Sequence, residues 1–158
     1  EALNIWDKLK EVYLDAEFHI CTPSYGEGEL KNYIKDDYRI TYHNSLNKYD
    51  YFKLLDECHF WLYPTNYEET CCMVALDMQM HGVIPITTRK AALNETVRTG
   101  LFIEDKSTDD IINFIDLLKK SPEIVTAIVM KGKEFAHTQS WEKKAQEWIN
   151  LLHPRKED

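Results

Sequence analysis

Apolar positions along the chain follow two alternating rhythms. Phe18 to Cys21, Tyr38 to Tyr42, His59 to Tyr63, Val83 to Thr87 and Leu101 to Glu104 are short segments that read as strands; His59 to Tyr63 is almost unbroken in its apolar character, as befits a strand covered on both faces of a parallel sheet. Between them lie stretches with helical spacing. The first, Ala2 to Leu14, sets Leu3, Trp6, Leu9 and Tyr13 on one face. A short helix from Glu29, one over Tyr49 to Cys58 and a helical turn over Ala91 to Val97 follow. Three helices finish the chain: Ser107 caps the first, Ser121 and Pro122 start the second, and Ser140 caps the third, with Pro154 as its stop. Strands alternating with helices predict an α/β fold with a doubly wound parallel sheet, in a single domain spanning residues 1–158.

The most informative stretch runs from Tyr63 to Thr88. Pro64 ends a strand, Cys71 to Met80 is apolar nearly all round and predicts a buried helix, and Gly82 suits the left-handed position that stops it. One carboxylate, Asp77, lies within this helix and needs a partner if buried. Glu68 and Glu69 stand in the loop leaving the strand, the place where ligands bind in open α/β sheets. If a single helical axis carried both, Glu69 and Asp77 would sit roughly 12 Å apart. The backbone N–H groups of Thr70, Cys71 and Cys72 at the helix start offer a phosphate seat between them. Together these features fit one extended ligand, a nucleotide diphosphate sugar with its pyrophosphate on the helix end, its ribose toward Asp77 and its hexose at Glu69. The plainer reading is that Glu69 is a favourable charge at a helix start and Asp77 a satisfied core acid.

In order along the chain, Glu69-Thr70-Cys71-Cys72, Asp77-Met78-Gln79, Gly82-Val83-Ile84-Pro85-Ile86 and Ala91-Ala92-Leu93-Asn94-Glu95 resemble the donor-binding half of retaining GT-B glycosyltransferases of the family-four, group-one type. That family writes the same series as Glu-Gly-Phe-Gly, Glu-Ala-Met, Gly-x-Pro-Val-Val and Gly-Gly-x-x-Glu. Here the glycines after the first acid are replaced and the second acid is Asp, shorter than Glu by one methylene, so that a water could bridge it to a ribose.

The resemblance implies a Rossmann-like domain forming the C-terminal half of a two-domain enzyme. It further implies transfer of a sugar, with retention, from a nucleotide diphosphate carrier to a hydroxyl acceptor in glycan or cell-surface polysaccharide synthesis. Glu69 is then the catalytic-site residue that orients the sugar, Thr70, Cys71, Cys72 and Asp77 hold the diphosphate and ribose, and Asn44 and Leu46 contact the base. Neither metal nor cofactor is implied. The glycine-containing loop at Pro23, Ser24, Gly26 and Gly28 resembles the turn after the family's second strand, and Glu95 its acid after the following strand. Arg89 and Lys90 could lean toward phosphate, although exposed loop cations are mostly solvated. Family members open this domain with a central strand followed by an Arg and a Lys; neither precedes Ala2, and the acceptor-binding Rossmann domain is also expected as a separate partner. The isolated chain is therefore expected to be inactive. A non-catalytic nucleotide-sugar-binding module and a sugar-nucleotide epimerase of the same architecture are the alternatives.

Composition narrows the partners. At 158 residues, 44% hydrophobic and 29% charged, the chain has ordinary globular composition, and a net charge of −8 argues against nucleic acid or anionic lipid as its partner. No apolar run approaches membrane-spanning length, which places the expected site in the cytoplasm or on the cytosolic face of a membrane held through another segment. Cys21, Cys58, Cys71 and Cys72 lack metal-ligand spacing and read as reduced small hydrophobes. His81 reads as a partner for its helix's C-terminal dipole. The stripe of Trp141, Ala145, Trp148, Ile149 and Leu152 in the last helix reads as packing, with contact to the N-terminal domain as the functional alternative.

Overall fold

A computed structural model describes residues 1–22, 34 and 37–153. The chain runs α1 (Ala2–Val12), β1 (Phe18–Cys21), β2 (Ile40–His43), α2 (Lys48–Glu57), β3 (Phe60–Tyr63), α3 (Met73–His81), β4 (Ile84–Thr87), α4 (Leu93–Thr96), β5 (Leu101–Phe102), α5 (Thr108–Lys120), α6 (Pro122–Thr138) and α7 (Trp141–Leu152). The predicted loop at Pro23 to Gly28, the helix from Glu29 and the stop at Pro154 lie outside the described residues.

All described strand pairs are parallel. β1 pairs with β2, Phe18 opposite Ile40 and Cys21 opposite His43, while β4 lies between β3 and β5 with Phe60 opposite Ile84 and Ile86 opposite Leu101. Among the described residues the two groups share no ladder, so β1 and β3 each carry a free edge. Helix α1 joins them. Its Trp6 stacks on Phe18 of β1 at 5.2 Å, and its Ile5 packs with Ile86, Ile103, Ile111 and Ile115 on one face of the larger group. On the opposite face Cys72, Ala75, Leu93 and Val97 form a second core against Trp61, Tyr63 and Phe102. Apolar layers on both faces make this a Rossmann-like, doubly wound α/β arrangement.

Local chemistry explains the element ends. The Ser107 hydroxyl accepts the Asp110 amide while the Asp110 carboxylate accepts the Ser107 amide, a complete capping box. Ser140 accepts the Lys143 amide, Asn47 accepts the Asp50 amide, and Gly82 closes α3 at φ +84°. Pro85 lies inside β4, where its missing N–H would ordinarily break a ladder. The Ile84 amide donates to His59 of β3, so the Pro85 nitrogen faces β5, and β5 begins only at Leu101, opposite Ile86. Pairing is absent at the one place the proline requires it. There Gly100, at φ +123°, passes so close that a Cβ would stand 2.1 Å from the Pro85 carbonyl oxygen.

Two expectations are corrected. Helix α3 is not buried all round: Ala75 and Gln79 are buried, but Met73 and Val74 are exposed, because only one side faces the sheet and α6. The Trp141–Leu152 stripe is not internal packing, since α7 buries no residue and Trp141, Trp148, Ile149 and Leu152 are exposed. No described helix is long and apolar enough to cross a membrane.

Candidate functional site

The C-terminal ends of β3, β4 and β5 open onto a groove of about 630 Å³, bordered by Thr65, Asn66, Thr88, Arg89, Lys90 and Glu104. Parallel strands direct their following loops to this edge, which makes it the general ligand position in open α/β sheets. Hydroxyls hold the rim together: Thr87 Oγ1 donates to the Tyr63 carbonyl at 2.8 Å, and Thr88 Oγ1 to the Thr65 carbonyl at 2.7 Å.

Both cations on this rim are engaged. Lys90 Nζ lies 3.2 Å from Glu68, while the Arg89 guanidinium sits 4.2 Å over the Phe102 ring and its backbone N–H donates to Glu104. Glu95 is exposed in the first turn of the four-residue α4, whose start has no side-chain cap.

Glu69 is held at both ends. Its half-buried carboxylate accepts a hydrogen bond from the Tyr63 hydroxyl at 2.8 Å, and its carbonyl accepts the Ala92 amide at 3.1 Å. Ala91, just before that amide, adopts φ +45°, a left-handed conformation that disfavours a residue with a Cβ. The resemblance places a glycine of the Gly-Gly-x-x-Glu series at this position.

Helix α3 begins at Met73, two residues later than its apolar run suggests. Thr70 and Cys71 therefore lie in the preceding loop and Cys72 is the N-cap, so Glu69 is not on the helix and the spacing of 12 Å along a helical axis does not apply. The Cys72 side chain is buried and offers the helix start only a sulfur; burial pushes its thiol pKa up, against the Ala75 and Val74 amides that face it. No side-chain oxygen caps the helix start; its Met73 and Ala75 amides donate instead to the Cys71 and Cys72 carbonyls at 3.0 and 3.1 Å.

Asp77 sits half-buried on α3, with no hydrogen bond to its carboxylate among the described residues. Burial raises its pKa above the usual carboxylate value, opposed by the positive charge of His81 and Lys48. Near it, the Tyr51 hydroxyl is buried and has no hydrogen-bond partner among the described residues, and burial first and then Asp77 raise the phenol's pKa. His81 at the end of α3 pairs with Asp56 at 2.6 Å and lies against Phe52 at 4.9 Å, a tie between α3 and α2. Asn44 and Leu46 follow β2, the first exposed and the second half-buried. Among the described residues no group of three or more His, Cys, Asp or Glu is placed to hold a metal ion.

Sequence reasoning thus singled out Glu69 and Asp77 and passed over Tyr51 and Tyr63. Tyr63 was legible only as the last apolar residue of a strand, and the polar end of its ring was the one available signal.

At the level of sequence, the chain matches no protein family and no curated protein. Its fold, however, is similar to that of Anabaena Alr3699/HepE in complex with UDP-glucose, with a TM-score of 0.74 at 15% identity. The structure of the same protein in complex with UDP and glucose gives 0.71 at 14% identity. In both cases the match takes in 94% of this chain and 43% of the other, so the chain spans less than half the length of the structures it resembles. At such identity the likeness shows a shared fold and nothing finer.

Proposed function

We propose that this chain is the donor-binding half of a glycosyltransferase, one that takes a nucleotide diphosphate sugar and passes its sugar, with retention, to a hydroxyl acceptor in glycan or polysaccharide synthesis. The observation that carries this reading is the braced carboxylate of Glu69, in the loop that leaves the C-terminal end of β3, followed on the next helix by the half-buried Asp77, whose carboxylate has no hydrogen bond among the described residues. Asp77 in this state is costly for the free protein and useful to a ligand that brings hydroxyl donors. The fold shared with a UDP-glucose complex and the ordered motif series support the same assignment.

In this reading Glu69 orients the hydroxyls of the donor sugar beside the reacting carbon. The backbone N–H groups of Thr70, Cys71 and Cys72, just before α3, receive the diphosphate; Asp77 receives the ribose hydroxyls; Asn44 and Leu46 flank the base. An N-terminal Rossmann domain is the partner that contributes the acceptor site and phosphate-binding cations. The exposed apolar side of α7 is available to such a domain. The protein works in the cytoplasm or at the cytosolic face of a membrane and uses no metal or cofactor.

One observation favours a second reading, a sugar-nucleotide-binding module without chemistry: Arg89 and Lys90 are taken up by Phe102 and Glu68. The charge that would neutralise a leaving diphosphate must then come from elsewhere. Thermal melts in the presence of UDP, UDP-glucose, ADP-glucose and GDP-mannose test donor binding, since a ligand at 100 times its Kd adds about 2.7 kcal/mol of stability. A rise in melting temperature with one of the four supports the proposal, and no response to any of them at millimolar concentration sinks it. Sugar transfer by the chain together with its partner domain separates the transferase from the module.

A further inference from the structure

We infer that Tyr63 is a positioning residue for the donor sugar, acting through Glu69, and that the site takes a sugar hydroxyl on the carboxylate oxygen that Tyr63 leaves free. The inference rests on the assignment of Glu69 to the donor sugar and extends it.

Tyr63 ends β3, and its place there is fixed independently of Glu69. Its ring stacks on Trp61 at 4.9 Å and 13° between planes, and its carbonyl accepts the Thr87 hydroxyl at 2.8 Å. From that fixed base the phenol donates to Oε1 of Glu69 at 2.8 Å. Burial, then this hydrogen bond and the Glu69 charge, push the phenol up to about 12, so it keeps its proton and remains a donor throughout the neutral range. The Glu69 main chain is pinned separately, its carbonyl taking the Ala92 amide at 3.1 Å from a turn that holds Ala91 at φ +45°. Held separately at its side chain and its main chain, Glu69 is preorganised for a contact. With Oε1 occupied, Oε2 is held by the same carboxylate plane, and as an acceptor-only atom it takes a donor, which on a sugar is a hydroxyl. Glu69 thus owes its orientation to a strand six residues away, not to the helix that follows it.

The test is a double-mutant cycle on the full chain, with UDP-glucose and UDP as ligands and calorimetric Kd as the readout. Tyr63→Phe keeps the stacked ring and removes only the donor. The expected result is a loss of roughly fivefold in UDP-glucose affinity with UDP affinity unchanged, and no further loss when Tyr63→Phe is added to Glu69→Ala. An equal loss for both ligands, an unchanged UDP-glucose affinity, or a Tyr63→Phe effect that persists in the Glu69→Ala background would overturn the inference. A Glu69→Ala variant that keeps the wild-type UDP-glucose affinity would instead remove Glu69 from the sugar, and the inference falls with that assignment.

Discussion

The side-chain oxygen of Gln79 accepts the backbone N–H of Arg98 at 2.9 Å, tying the middle of α3 to the segment that leads into β5. The same side chain donates to the Thr96 carbonyl at 2.7 Å and to Ala75 one turn back at 2.8 Å, and it is only 2% exposed. A buried amide with all its groups engaged is a rigid joint; one deprived of partners is a liability. Here the joint places the Leu93–Thr96 turn, and with it the Ala91–Ala92 contact to Glu69.

Gln79→Leu fills similar volume and leaves the Arg98 amide and the Thr96 carbonyl unmatched. It should cost about 2–3 kcal/mol, seen as a fall in melting temperature of roughly 5–10 °C. Gln79→Glu, which keeps an acceptor for Arg98 but loses the donor to Thr96, is also expected to destabilise. A Leu variant as stable as wild type would show that the loop is held by something else.

A pH-dependent contribution comes from β1 and β2. His19 Nδ1 and His43 Nε2 are 3.0 Å apart, with Glu17 3.6 Å from the far side of His19. Burial, and then the charge of His19, hold the His43 imidazole below its usual pKa. The unfolded chain, titrating near 6.5, therefore takes up a proton more readily than the folded one. The contribution is fully present above about pH 6.5 and is lost as pH falls through the lower folded value. Melting temperature should hold from pH 8 to 7 and decline toward pH 5, and His43→Gln should flatten part of that decline. A decline of unchanged slope in the variant would assign it to other groups.

Asp77 titrates in the opposite sense. Its folded pKa is raised, so the stability linked to it is present below the unfolded carboxylate value and is lost as pH rises through the folded one. Ionised, the half-buried Asp77 is thus a burden on the free protein. Asp77→Asn should raise the melting temperature of the unliganded chain by about 1–3 °C and weaken UDP binding by about tenfold. Reduced apo stability with unchanged UDP affinity would make Asp77 a structural acid.

Helix starts with a side-chain cap were legible at Ser107 and Ser140 because a hydroxyl in that position has one dominant use, and the Gly82 stop was legible for the same reason. The start of α3 was misplaced at Cys71 because no capping side chain marks it and the apolar run continues backward into the loop. Glu69 and Asp77 stood out as charges in an apolar stretch. Their surroundings did not: Tyr63 reaches Glu69 from a strand, and Tyr51 approaches Asp77 from α2, contacts that periodicity does not encode. The stripe on α7 stood between two readings, packing within the domain and contact with another, since an apolar stripe reports a wish for burial and not whether a neighbour is there.

The central claim is that Glu69 addresses the sugar of a nucleotide diphosphate sugar, and the direct measurement is the affinity of wild-type and Glu69→Gln protein for UDP-glucose and for UDP by titration calorimetry. UDP ends before the carboxylate in this account. The account predicts UDP affinity within about twofold of wild type and UDP-glucose affinity lower by about tenfold, the loss of a charge-assisted hydrogen bond. Equal losses for the two ligands, or none for either, would contradict it and leave Glu69 as a charge at the entrance to a helix.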